Sequence, residues 1–103
     1  MANFAYINNK IVNFKNAKVH IEDRGFQFSD SVYEVVKIIN TKMLDFDFHM
    51  RRLKYSTSEL NFNFKINSKL LKIIFQNLII KNKLSNGVIY LQITRGVQSR
   101  EHS

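Results

Sequence analysis

Residues 32–40 read VYEVVKIIN. The run is dense in β-branched side chains, which suit a pleated, half-buried surface, and it predicts a long strand. Asn40-Thr41-Lys42 turns that strand into MLDF, residues 43–46. Towards the N-terminus, FAYI (4–7) and KIVNF (10–14) flank the turn-forming Asn8-Asn9 and read as a short hairpin. VHIEDRGFQFSDS (19–31) is polar and irregular, with Gly25 as a turn.

Downstream the period changes from two to between three and four. Phe46, Met50, Leu53, Thr57 and Leu60 form one core-facing helical stripe, with Asp47 as the expected N-cap. A second helix is expected from Asn67 as N-cap. Leu71, Ile74 and Leu78, with Leu70, Phe75 and Ile79 beside them, give it a wide apolar face. KNKLSNG (81–87) ends this helix, with Gly87 as a turn. VIYLQITR (88–95) then alternates as a last strand, with Ile89, Leu91 and Ile93 on one face and Tyr90, Gln92 and Thr94 on the other. The order ββ-loop-ββ-α-α-β predicts an α+β domain with a mostly antiparallel sheet and two main helices.

A chain of 103 residues with 45% apolar content suits one folded domain. No proline or Gly/Ser linker marks an internal boundary. Cysteine is absent, which removes disulfides and thiolate chemistry. MANFAYINNK lacks the charged and apolar regions of a signal peptide, and LLKIIFQNLII (70–80) is interrupted by Lys72, Gln76 and Asn77, so a soluble, cytoplasmic protein is expected. The formal charge is +8, but the lysines are spread from Lys10 to Lys83 without a dense run, accompanied by twelve asparagines. That pattern implies general electrostatics and no nucleic-acid partner.

Three places carry polar groups that the fold does not require. His49 and Arg52 lie three apart on the first helix, next to its apolar stripe. They read either as a solvated flank or as an anion site, since a semi-buried guanidinium favours phosphate or carboxylate. Tyr33 stands at the head of the strand after FSDS, where it either packs or offers a hydroxyl to a ligand. Arg100 and His102 project to one side of an extended segment, as a polar tail or as a carboxylate clamp. His20, His49 and His102 lack the spacing of a metal site, and no metal is expected.

Taken together, EDRGFQFSDSVYEVVKI (22–38), HMRRL (49–53) and GVIYLQITRGVQSREH (87–102) resemble, in order and spacing, the N-terminal domain of the fold-type IV pyridoxal-phosphate aminotransferases. The closing Arg95-Gly96, Arg100 and His102 pattern is similar to the D-amino-acid aminotransferases in particular. Branched-chain aminotransferases and aminodeoxychorismate lyases are the alternatives within the group, and a non-enzymatic remnant acting as an interaction module is the alternative outside it. The chain departs from the family's Gly-Asp-Gly at Ser29-Asp30-Ser31, where a serine at positive φ would add strain of roughly 1 kcal/mol.

The resemblance implies that Arg52 binds the cofactor's phosphate, and that Tyr33, Arg100 and His102 bind the substrate's α-carboxylate. Fixing the carboxylate on one side of the cofactor fixes which enantiomer presents its Cα proton to the base. It also implies that residues 1–103 are the small N-terminal domain, and that the lysine carrying pyridoxal phosphate belongs to a larger domain absent from this chain. On that reading the chain holds no catalytic residue of its own, does not keep the cofactor stably bound, and is inactive alone. The full-length enzyme would move an amino group between a D-amino acid, D-alanine being the first candidate, and a 2-oxo acid. The resemblance, and the apolar surface a lone small domain exposes, further imply a homodimer or higher homo-oligomer.

Overall fold

The computed structural model describes residues 3–7, 10–18, 31–62 and 65–94. β1 (Phe4–Ile7) and β2 (Lys10–Asn13) form the expected hairpin, with Phe4 opposite Asn13 and Ile7 opposite Lys10. Phe14 leaves the ladder for a short 3-10 turn, Phe14–Asn16, and does not extend β2.

β3 (Ser31–Ile39) is the centre of a three-stranded antiparallel sheet ordered β4-β3-β5, with β4 at Lys42–Met43 and β5 at Gly87–Thr94. β3 and β5 pair without a break from Ser31 opposite Thr94 to Ile38 opposite Gly87. β3 alternates strictly: Val32, Glu34, Val36 and Ile38 are buried, and Tyr33, Val35, Lys37 and Ile39 are exposed. That is the two-residue period of a sheet with one covered face. Gly87 is the first residue of β5 and not a free turn. A Cβ there would lie 2.9 Å from Leu84 Cδ1, so a larger residue would push the end of the Leu84 side chain aside.

Two helices cover the inner face. α1 spans Phe46–Glu59 and α2 spans Ser68–Lys81. α1 buries Phe46, Met50, Leu53 and Thr57, as its spacing predicts, whereas Leu60 falls at the C-cap and is exposed. Thr57 fits an apolar stripe because its hydroxyl donates to the carbonyls of Leu53 (3.0 Å) and Lys54 (3.1 Å), which leaves its methyl to the core. Asp47 is not the N-cap. The helix begins one residue after Asp45, whose left-handed backbone (φ 55°) turns the chain out of β4 and leaves its carboxylate uninvolved in capping. Asp47 sits in the first turn, where its charge still complements the helix dipole. Asn67 caps α2 as expected, accepting from Leu70 N at 3.1 Å. α2 buries Ile74, Phe75 and Ile79, while Leu70 turns to solvent. Phe46 and Phe75 meet edge to face, centroids 6.0 Å apart, and join the helices over the sheet. Among the described residues no helix is long and apolar enough to cross a membrane.

The hairpin is tied to the rest by Asn82, just past the end of α2. Its Oδ1 accepts from Asn3 N (2.8 Å) and Phe4 N (2.9 Å), and its Nδ2 donates to Phe4 O (3.2 Å) and Leu78 O (2.9 Å). One amide therefore serves the outer edge of β1 and the frayed end of a helix together. Replacing Asn82 with Ala is expected to cost about 1–3 kcal/mol in urea unfolding. It is also expected to raise hydrogen exchange at the Phe4 amide far more than in β3, which distinguishes a released hairpin from a global loss.

Candidate functional site

Glu34 is the polar exception on the inner face of β3. It lies between Val32 and Val36 and its side chain is only 3% exposed. An ionised carboxylate in that position requires partners. α1 supplies two. His49 and Arg52, three residues apart, flank the Met50/Leu53 ridge that packs on the sheet, and both reach down to the carboxylate.

Arg52 makes a two-pronged contact. Its Nε donates to Glu34 Oε2 at 2.9 Å, with a longer contact to Oε1 at 3.3 Å, and its Nη2 donates to Oε1 at 2.8 Å. His49 Nδ1 meets Oε1 at 2.6 Å. The charged carboxylate has only acceptors to offer, which assigns the proton of this bond to Nδ1. Phe48, one turn before Arg52, places its ring 5.1 Å from Cζ. The guanidinium is thus fixed along one edge and supported on one side. Among the described residues Nη1 has no partner, and the side chain remains 52% exposed.

Arg52's hydrogen bonds hold the Glu34 carboxyl below the usual glutamate range, against the upward push of burial and with His49 adding to the lowering. In return Glu34 raises the Arg52 guanidinium. Glu34 did not stand out among the basic residues of the sequence. The signal that finds it is parity: in VYEVVKI it shares the inward register of Val32 and Val36, so a charge at that position demands a basic neighbour from the covering helix.

Tyr33 points the other way, on the outer face of the sheet. It is 62% exposed, and its ring stacks on Tyr90 at 6.0 Å between centroids, 13° between planes. Tyr90 lies opposite Val35, one diagonal step from Tyr33, so the β3–β5 register makes the stack. Arg52 and Tyr33 are therefore on opposite faces of one strand. Among the described residues, β4 pairs with β3 at Ile38 and Ile39, on the edge of β3 away from β5. Arg100 and His102 lie outside the described residues. Among the described residues no group of three His, Cys, Asp or Glu side chains is placed to hold a metal.

The sign of the Glu34 shift gives a pH test. A depressed carboxyl stabilises the fold above its unfolded value and loses that contribution as pH falls through the folded value. Stability is expected to drop as pH falls below about 4.5 in the parent chain and to drop less in Glu34→Gln. At neutral pH, Glu34→Gln is expected to cost roughly 1–3 kcal/mol. Urea titrations at stepped pH check both; identical acid limbs for the two proteins would refute the ionised, paired carboxylate.

The model of the family described as amino-transferase class IV matches residues 31–103. A D-alanine aminotransferase of Listeria monocytogenes serotype 4b (strain F2365) is 39% identical over 97 residues, covering 93% of this chain and 34% of that protein. Among solved structures, a branched-chain amino acid aminotransferase from Escherichia coli superposes with a TM-score of 0.85 at 25% identity, covering 93% of this chain and 34% of its own. A 4-amino-4-deoxychorismate lyase from Pseudomonas aeruginosa shares the fold at a TM-score of 0.67 and 23% identity, over 84% of this chain and 31% of that one. The chain spans about a third of the length of the relatives it matches. With the α+β fold and residues 31–103 both matched, the chain belongs to the class IV aminotransferase family.

Proposed function

We propose that this chain is the N-terminal third of a D-amino-acid aminotransferase and that Arg52 is its contact to the phosphate of pyridoxal phosphate. The observation that carries the reading is the posture of Arg52. Glu34 occupies its Nε/Nη2 edge, Phe48 supports its face, and, among the described residues, Nη1 is left as an oriented donor. The donor set suits one wall of a phosphate site. Because Glu34 balances the arginine's charge, further cations or backbone N–H groups must complete it, in keeping with a chain that spans a third of its relatives. The 39% identity to a protein named D-alanine aminotransferase favours D-amino acids, D-alanine first, over the branched-chain and aminodeoxychorismate alternatives.

When bound, pyridoxal phosphate supplies an electron sink that lets an amino acid's Cα release its proton. The work of this chain would be binding and orientation. Arg52 would anchor the phosphate end. Tyr33, its ring steadied by Tyr90, would offer its hydroxyl to the substrate's α-carboxylate together with Arg100 and His102. Holding the carboxylate decides which face of Cα meets the base, and so which enantiomer reacts. The base itself, the lysine that carries the cofactor, would come from the part of the enzyme that this chain does not span. Homo-oligomerisation belongs to the same reading, and the exposed Val35, Ile39 and Val88 beside Tyr33 and Tyr90 are the surface available for it.

Titrating inorganic phosphate while following the Arg52 Nε–H resonance tests the anchor. A saturable shift at Arg52 is expected, with Arg51 unmoved. Arg52→Lys, which keeps the charge but cannot keep the two-pronged contact to Glu34, is expected to weaken binding about tenfold or more. Equal responses at Arg51 and Arg52 would refute the site. With pyridoxal phosphate, D-alanine and 2-oxoglutarate the chain alone is expected to show no turnover; measurable transamination would overturn the assignment of the lysine to another part of the enzyme.

A further inference from the structure

The phosphate contact proposed above uses Arg52, with Glu34 and Phe48 as its supports, and leaves His49 without a task. The His49 side chain is 13% exposed, and its Nδ1 lies 2.6 Å from Glu34 Oε1. Arg52 Nη2 donates to that same oxygen at 2.8 Å, whereas the shortest bond to Oε2 is from Arg52 Nε at 2.9 Å. Two basic side chains therefore meet on one oxygen of one buried carboxylate. With Nδ1 donating to a group that can only accept, the lone pair of the neutral ring belongs to Nε2. Among the described residues Nε2 has no hydrogen-bond partner, and the ring keeps contact with solvent.

The charge of the cluster depends on that ring. With a neutral imidazole, Glu34 and Arg52 cancel. Imidazole is the side chain that takes up a proton between about pH 8 and 5, and a second proton on Nε2 adds a full positive charge. Glu34 does not follow by taking a proton itself, because Arg52 first, and His49 with it, hold its carboxyl below the usual glutamate range. One carboxylate then faces two cations. Little else is placed to absorb the surplus. β3 brings only Glu34 to this face, since Lys37 is in its outward register, and β5 sets the apolar Leu91 opposite Glu34. α2 meets α1 through Phe46 and Phe75, and its Lys72 lines an open groove with Arg51, Asp45 and Asp47 at the start of α1. Among the described residues His49 makes its ion pair with Glu34, and its other close neighbour is the uncharged Phe48 ring, 5.9 Å between centroids.

We propose that His49 is a positioning residue that sets the charge of the phosphate contact: its neutral ring leaves the Glu34–Arg52 pair balanced, and its protonated ring leaves the same cluster singly positive, so that Arg52 holds a dianionic phosphate group more tightly. The inference rests on Arg52 being that contact. His49 touches no ligand and acts through the oxygen it shares with Arg52. The sign is fixed: affinity for the dianion rises as pH falls through the titration of the ring, and by linkage a bound dianion favours the protonated ring.

Sulfate is the probe, because it stays a dianion across this range whereas inorganic phosphate titrates within it. Followed at the Arg52 Nε–H resonance, sulfate is expected to bind at least about threefold more tightly at about pH 5.5 than at about pH 8. His49→Asn keeps an amide donor in place of Nδ1 but cannot take the second proton. Its affinity is expected to match the parent at the alkaline end and to stay there in acid. His20 and His102 also charge in acid, so the difference between the two chains isolates His49. A second readout needs no substitution: sulfate is expected to move the titration of the His49 ring resonances to higher pH. Equal affinity at both pH values in the parent, the same acid gain in His49→Asn, or an unmoved His49 titration overturns the inference and leaves the Arg52 anchor standing. An Arg52 that stays silent at the acid end overturns the inference too. Equal responses at Arg51 and Arg52 overturn the anchor itself, and the inference with it.

Discussion

A carboxylate beneath a helix is the constraint around which this domain is arranged. Glu34 sits on the covered face of β3, where water cannot serve it, and the cost of leaving it unpaired exceeds what a typical single contact returns. α1 must therefore cross the sheet so that its His49/Arg52 flank, and not merely its apolar ridge, meets that position. Burying Met50 and Leu53 alone would tolerate a helix slid or rotated by a fraction of a turn. The two-pronged contact at 2.8 and 2.9 Å does not.

That pairing also fixes the posture of the arginine on which the proposed phosphate contact rests. A surface arginine samples many rotamers, and closing on an anion costs it that freedom. Here the ordering happens in folding: Glu34 and Phe48 hold the guanidinium before any ligand arrives. The same carboxylate has an opposing effect, because it neutralises the charge that, on the reading proposed above, would draw a phosphate. A preorganised but charge-balanced donor contributes direction more than attraction, and attraction must come from elsewhere in a complete site.

The sheet separates two kinds of surface. Its inner face is a dry core that carries the Glu34 cluster at its margin. Its outer face carries Tyr33, Val35, Ile39, Val88 and Tyr90, side chains too apolar for a face meant only for water. The exposed ridge on α2 adds a third surface with a different charge environment. The chain that carries these apolar faces spans about a third of the length of the relatives it matches.

Much of this was legible in the residue pattern. β-branched density marked β3, the 46/50/53/57 spacing marked α1, Asn67 marked the start of α2, and the alternation of 88–94 marked β5, because each signal is local and repeats at the period of its element. The spacing of His49 and Arg52 likewise placed them on one flank of a helix. What the pattern left open, tertiary structure decided. The anion beside Arg52 is the protein's own Glu34, eighteen residues away, because only the packing of α1 on β3 brings the two together. Asp45, in a left-handed conformation, is the residue from which α1 starts, so Asp47 falls inside its first turn, and Gly87 belongs to β5 because it pairs with Ile38. Tyr33 and Arg52, read from sequence as neighbours in function, leave opposite faces of the sheet: parity within a strand is a local property, but which face a helix covers is settled only when the core closes.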